Sequence, residues 1–274
     1  MHRRHWIGLV ACAGMAAILG GCGLTRRARF TREVEQVVPL DTAGLGLDVL
    51  THNGSITVVE DPSRGDVLIE ATIHAVSRER ADSVTILAST PDGRWMMVRA
   101  AWPQPGRESN EGVTLRITAP RLDGLRLVTS NGGVDVAGHA GGAWVNTSNG
   151  GITITGHQGE IDAETSNGGV EIAGATGRVE VRSSNGRVDV ALGDSSTGPV
   201  AIRTSNGNAR LRVGPAFAGV IEGRTSNGRV AATLGPGRGS VDRAADDHVT
   251  ARVGDGAEKS SVDTSNGSIE IVAD

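Results

Sequence analysis

The sequence predicts an all-β protein, a β-solenoid of about eight or nine short two-strand units, and three observations predict it. The tetrapeptide Thr/Ser-Ser-Asn-Gly recurs with its Asn at Asn131, Asn149, Asn167, Asn185, Asn206, Asn227 and Asn266, and a relative, Thr51-His52-Asn53-Gly54, precedes them. Successive spacings from Asn131 are 18, 18, 18, 21, 21 and 39 residues, a short fixed period of the kind that marks stacked repeat architectures. Around each Asn the chain alternates with period two: Leu125, Leu127 and Thr129 before Asn131, Val134 and Val136 after it, and Ile161, Ala163, Thr165, Val170 and Ile172 around Asn167. Such alternation on both sides of a turn means two strands per unit, each with one buried face. The third observation is compositional: Gly is 40 of 274 residues, Tyr is absent, and there are only four Trp and two Phe. A core of Val, Ile, Leu and Ala suits thin, regularly layered β structure.

Taken in order, residues 1–21 read as a lipoprotein signal peptide. Arg3 and Arg4 form a positive start, and Ile7 to Leu19 is an apolar stretch of thirteen residues, too short to span a bilayer. It ends in Leu19-Gly20-Gly21-Cys22, which resembles the lipobox of bacterial lipoproteins, with Cys22 as the lipidated residue. Cys12 lies within the leader, so Cys22 would be the sole thiol after processing and no internal disulfide is expected. Residues 22–33 form an anchored linker, residues 34–118 a less regular β region, and residues 119–274 the repeat solenoid. In the irregular region, strands are expected at Leu47–Val58, Asp66–Ala75, Ser83–Ser89, Trp95–Ala101 and Val113–Thr118, the last two around a Pro/Gly-rich loop at 103–112. The 39-residue gap before Asn266 fits a degenerate ninth unit, with Asp246-Asp247 in place of Asn-Gly and Val249 following.

A second architecture satisfies the pattern. Asn-Gly between alternating runs is a hairpin signal, so an antiparallel meander closed into a barrel or sandwich is the alternative. Stacking favours the solenoid, because identical side chains at identical phase meet their own copies about 4.8 Å away and repeated amides can bond along the stack.

The candidate chemistry is sparse. The repeated serines are equivalent by period, whereas a catalytic serine is singular and paired with a base. His139 and His157 share a phase but lack a third strong ligand, and Asp246-Asp247-His248 lacks a calcium-repeat frame, so no metal and no cofactor is expected. Gly235-Pro236-Gly237-Arg238-Gly239 has no strand-to-helix context for phosphate. Asp135, Asp162, Glu164 and Glu171 cluster in sequence and would serve a polysaccharide-cleaving enzyme if they converged. Charge is polarised: residues 131–177 hold five acids and no Lys or Arg, while residues 178–252 hold eleven Arg against seven acids. There Arg182, Arg203 and Arg224 share one phase and form a candidate anion-binding row, against interleaved Glu180 and Glu222 that favour a solvated ion-pair face. The overall formal charge of −4 argues against nucleic acid.

Strand, Asn-Gly and strand early in the chain, a strand ending in Ala119-Pro120, then reiterated Thr-Ser-Asn-Gly-x-Val/Ile together resemble the candidate-adhesin family of bacterial envelope proteins, a domain of unknown function. The resemblance covers roughly residues 34–274. It implies a β-helix-like domain exposed at the cell envelope, sometimes linked to envelope-stress responses. The expected function is therefore a non-enzymatic envelope lipoprotein, an adhesin-like scaffold or binding module held to the membrane through Cys22, with an envelope glycan or protein as partner. Gly23 after the cysteine leans towards the outer membrane in a cell that has one, by resemblance to other lipoproteins. A sensory envelope protein and a carbohydrate-active enzyme are the alternatives.

Overall fold

The computed structural model describes residues 30–40 and 44–274; Cys22 and the leader lie outside the described residues. The chain runs through β1 (Phe30–Pro39), β2 (Gly46–Leu50), β3 (Ile56–Glu60), β4 (Asp66–Ala75), a six-residue helix α1 (Arg78–Ser83), β5 (Thr85–Ser89), β6 (Trp95–Ala101) and β7 (Gly112–Ala119). The repeats follow as strand pairs: β8 (Asp123–Thr129) with β9 (Val134–Ala137), β10 (Ala140–Thr147) with β11 (Ile152–Thr155), and β12 (Ile161–Thr165) with β13 (Val170–Ala175). Next come β14 (Val179–Ser183) with β15 (Val188–Leu192), β16 (Val200–Asn206) with β17 (Ala209–Val213), and β18 (Gly219–Asn227) with β19 (Val230–Leu234). A hairpin of β20 (Gly239–Ala245) and β21 (His248–Val253) precedes the last pair, β22 (Lys259–Asn266) and β23 (Ile269–Ala273).

These strands make two large mixed sheets. The order in one is β1-β4-β7-β3-β9-β11-β13-β15-β17-β23-β19, and in the other β20-β21-β18-β22-β16-β14-β12-β10-β8-β2-β6-β5. The two strands flanking each Asn-Gly lie in different sheets, and equivalent strands of neighbouring units pair in parallel, as Ile161↔Val179 and Ile152↔Val170. That excludes the antiparallel hairpin at Asn-Gly, and neither sheet closes into a barrel. The alternating residues read as inward form one core: Leu125, Leu127, Val134, Val136, Ile152, Ile154, Val179 and Val181 are all buried. The 21-residue units carry their additional residues in the turn far from the Asn, where buried Ser196 donates to the Thr176 carbonyl.

Layer order follows chain order only in the middle. At the carboxyl end β22 and β23 lie between β16/β17 and β18/β19, so the last strands of the chain form the penultimate layer. Residues 239–253 are an antiparallel hairpin on β18 with Asp246-Asp247 at its tip, which corrects the degenerate unit expected there. The amino end mirrors this. β2 and β3 pair with β8 and β9 on one side and with β6 and β7 on the other, so residues 95–119 supply the outermost layer. Among the described residues this makes nine layers, the ninth being β6/β7. Antiparallel β4, β1 and β5 cover that end, and Arg32 on β1 donates to the Ala81, Asp82 and Val84 carbonyls, closing the carboxyl end of α1.

Candidate functional site

The Asn-Gly turns stack into a continuous amide ladder. Asn131 Nδ2 donates to Asn53 Oδ1 at 2.6 Å, Asn149 to Asn131 at 2.7 Å, and Asn167 to Asn149, Asn185 to Asn167, Asn206 to Asn185, Asn266 to Asn206 and Asn227 to Asn266 at 2.9 Å each. Asn53 ends the run on the Ser109 and Glu111 carbonyls. All the donors point one way, an arrangement in which each bond polarises the next. From Asn131 onward the ladder Asn are exposed, and Asn53 is half-buried, which lowers the stability expected from any one of them.

Two of the other three motif positions, the first and the last, have structural reasons that the Asn-Gly turn reading misses. Buried Thr129, Thr147 and Thr165 donate to the Gly54, Gly132 and Gly150 carbonyls of the adjacent layer, and Ser183 and Thr204 continue the column. The motif glycines are required for close approach: a Cβ on Gly150 would lie 2.0 Å from the Gly132 oxygen, and one on Gly168 1.9 Å from the Gly150 oxygen. The left-handed backbone expected of Asn-Gly is absent at the described Asn, since His139 alone among described non-glycine residues has a positive φ.

Several sequence candidates separate in space. Asp135 and Glu171 face outward on β9 and β13, whereas Asp162 and Glu164 stand on β12 of the opposite sheet, so the four carboxylates do not converge. The Arg row is interrupted: Arg203 is registered with Arg182 on one side and Asp263 on the other, and Arg224 follows Asp263. Arg182 pairs with Glu180 and with Asp162 at 3.3 Å, and Arg224 with Glu222 at 2.6 Å. Arg238 in the Gly/Pro loop donates to the Gly214 and Pro215 carbonyls.

His139 and His157 are buried in neighbouring layers at the opposite turn. The Leu122 N–H donates to His139 Nδ1 at 3.2 Å, so the neutral ring carries its proton on Nε2. Burial holds His139 down to about 4 and also lowers His157, whose ring nitrogens face the Gly141 and Gly138 carbonyls at 3.0 and 3.3 Å. No group of three or more metal-ligating side chains occurs among the described residues.

One surface feature breaks the repeated pattern. On the outer face of the 12-stranded sheet, Asp48, Arg126, Trp144, Asp162 and Glu180 follow one another across β2, β8, β10, β12 and β14. Trp144 is 37% exposed, and the Arg126 Cζ lies 5.1 Å from its ring centroid, a cation–π contact. Trp95, from the outermost layer, lays its indole across two glycines: a Cβ on Gly46 would meet the ring at 2.6 Å, and one on Gly124 at 3.1 Å. Beyond Gly124 the next strand offers Gly142, with open space where its Cβ would be. The result is a groove of about 460 Å³ bounded by Trp95, Arg126, Gly142, Trp144, Glu160 and Asp162, within the roughly 300–1,000 Å³ of small-molecule sites. Burial raises Asp162, with Arg182 opposing. The signal in the sequence was Trp144 itself, an indole five residues before a motif Asn, a position outward by period and polar in Asp162 and Glu180.

No family model and no curated protein matches the chain. Among solved structures it is similar to a candidate cell adhesion protein from Clostridium sporogenes at 10% identity and TM-score 0.37, covering 89% of this chain and 100% of that one. It is also similar to candidate adhesins from Bacteroides fragilis (11% identity, 89% and 97% covered) and Parabacteroides distasonis (8% identity, 88% and 97% covered), each with a TM-score of 0.34. At this level the likeness assigns neither fold family nor function.

Proposed function

We propose that the chain is a non-enzymatic, lipid-anchored β-solenoid of the bacterial cell envelope that holds a binding face away from the membrane. The observation that carries the binding reading is the Trp95–Trp144 groove, where the polar columns of the outer face give way to paired indoles over glycine. A partly exposed indole on a sheet surface presents apolar area to a ligand. The anchor rests on Leu19-Gly20-Gly21-Cys22, and an envelope glycan or protein is the partner class.

The test joins both parts. Intact mass of the membrane-extracted protein should show acylated Cys22, and Cys22→Ala should abolish acylation. Isolated envelope material should retain the detergent-solubilised full chain, and retention should fall in Trp144→Ala. An unmodified Cys22 would end the anchor, and equal retention of the variant would move the binding face elsewhere. A second reading, a carbohydrate-active enzyme, is favoured by Glu160 and Asp162 lining that groove, with Asp162 raised by burial. It predicts polysaccharide turnover that Asp162→Asn removes, whereas the first reading predicts none.

A further inference from the structure

We infer that the Trp95–Trp144 groove binds the pyranose ring of a neutral glycan, an inference that rests on the binding reading above and names its ligand class. Two features of the site select that chemistry. Trp95 and Trp144 both line the groove, and Gly142 leaves its floor open, so with Leu125 and Ala143 it offers a largely apolar surface fitted to the C–H face of a sugar ring. The rim is carboxylate: Glu160 and Asp162 stand one residue apart on the same edge, both acceptors, placed to take hydrogen bonds from ring hydroxyls.

Charge compensation excludes the competing ligands. A quaternary ammonium would also suit paired indoles beside carboxylates, but Arg126 already holds a cation against the Trp144 ring. Glu160 is paired with Arg178 at 2.8 Å and Asp162 with Arg182 at 3.3 Å, while Glu180 binds both arginines. Two guanidiniums thus pair with three carboxylates at the groove and its border, and Arg126 on the Trp144 ring brings the formal charges to balance. A phosphate or carboxylate ligand meets Glu160 and Asp162, and a cation meets Arg126. A neutral polyhydroxyl ring meets no uncompensated charge.

The recess at Gly142 sets the geometry of the test. Its backbone is not in the left-handed region and nothing lies within 4 Å of the Cβ position, so Gly142→Val on β10 fills the groove floor while leaving both indoles in place. The detergent-solubilised full chain is titrated calorimetrically with cello-, chito-, manno- and xylohexaose, with choline chloride and inorganic phosphate as charged probes. Wild type should bind at least one hexasaccharide saturably and neither charged probe. Trp144→Ala, Trp95→Ala and Gly142→Val should each weaken binding about tenfold or more, the worth of one lost stacking contact of roughly 1.4 kcal/mol. Glu171→Gln on the opposite sheet should bind as wild type. The inference is overturned if wild type, with its melting transition intact, binds no hexasaccharide, if Gly142→Val binds as well as wild type, or if choline or phosphate binds in preference. Retention on envelope material that depends on Trp144 while no hexasaccharide binds would leave the binding scaffold standing and remove only the glycan.

Discussion

The middle of the stack and its two ends solve the same problem differently. From β8 to β17 each layer lies on the one that precedes it in the chain, and every layer contributes one Asn, one Thr or Ser and one Gly to three parallel columns. Stability there is a sum of near-identical neighbour contacts. At the ends the chain passes outward and then fills a gap or is overlaid: β22/β23 slide beneath β18/β19, and β2/β3 lie beneath β6/β7. Antiparallel β1, β5 and β20 form three of the four sheet edges, with β4 and β21 joining β1 and β20 to the parallel strands, while the repeat strand β19 is itself the fourth edge. A stack made only of repeats would expose flat parallel edges that invite further pairing; the irregular strands cover three of them. The difference also shapes the groove, since Trp95 reaches it only because β2, with Gly46, lies between β6 and β8.

The largest expected effect sharpens the account of the middle layers. Gly150→Ala would set a Cβ 2.0 Å from the Gly132 oxygen and 2.4 Å from its carbon, both backbone atoms that cannot move without parting two layers. It should cost about 3 kcal/mol or more. Gly151→Ala, one residue on, meets its nearest atom at 3.4 Å and should be close to neutral. Denaturant unfolding of the pair decides whether close stacking or turn conformation demands the first glycine.

Acid should dissect the two regions in sequence. His139 is lowered from 6.5 to about 4 by burial, with His157 and Arg121 adding to the effect and Glu60 opposing it. The unfolded chain then binds more protons between these values, so stability falls as pH drops from 6.5 towards 4, by at most about 3 kcal/mol. His139→Asn, which tolerates the φ of 68°, should flatten that limb of a melting profile. Glu111, buried at the amino end and bound by Arg80 Nε at 2.7 Å and Nη2 at 2.6 Å, is lowered from 4.5 to about 2, chiefly by those bonds. Its contribution is present above 4.5 and is lost as pH falls through 2. Hydrogen exchange should place the first loss at the turns holding His139 and His157 and the second in the amino-terminal cap.

Smaller effects separate the columns. Thr165→Val keeps the shape and removes the donor to the Gly150 carbonyl, leaving a half-buried acceptor unpaired at a cost of roughly 1 to 2 kcal/mol. Asn167→Ala breaks two ladder bonds, but the amide is exposed and water can replace them, so about 1 kcal/mol is expected. If the Asn variant proves the more damaging in urea unfolding, the ladder and not the buried Thr column holds the middle layers in register.

What was legible in the sequence follows the same division. The inward residues from Leu125 to Ile202 were readable because period-two alternation repeats at a fixed phase, and burial obeys that phase. Whether the Asn turn is buried was not readable, since both cases give the same spacing. The ends were misjudged for a physical reason: Asp246-Asp247 sits at a plausible repeat spacing, yet whether a turn leads into a parallel layer or folds back as a hairpin is decided by strand partners far away in the chain. The Arg row failed likewise, because Asp263 enters it from the displaced last layer. The groove was hidden because its walls lie 49 residues apart, Trp95 and Trp144, and meet only through the inserted β2.

The displaced layer can be tested by disulfide trapping on the outer face, where Ala201 is registered with Ser261 and Ser261 with Glu222. Registered neighbours stand about 4.8 Å apart, inside the Cα range of a disulfide, while alternate layers stand about 9.6 Å apart, outside it. In a Cys22→Ala background, Ala201→Cys with Ser261→Cys should oxidise to an internal disulfide, and Ala201→Cys with Glu222→Cys should remain reduced. A disulfide in the second pair and none in the first would mean that the layers stack in chain order throughout, contradicting the account.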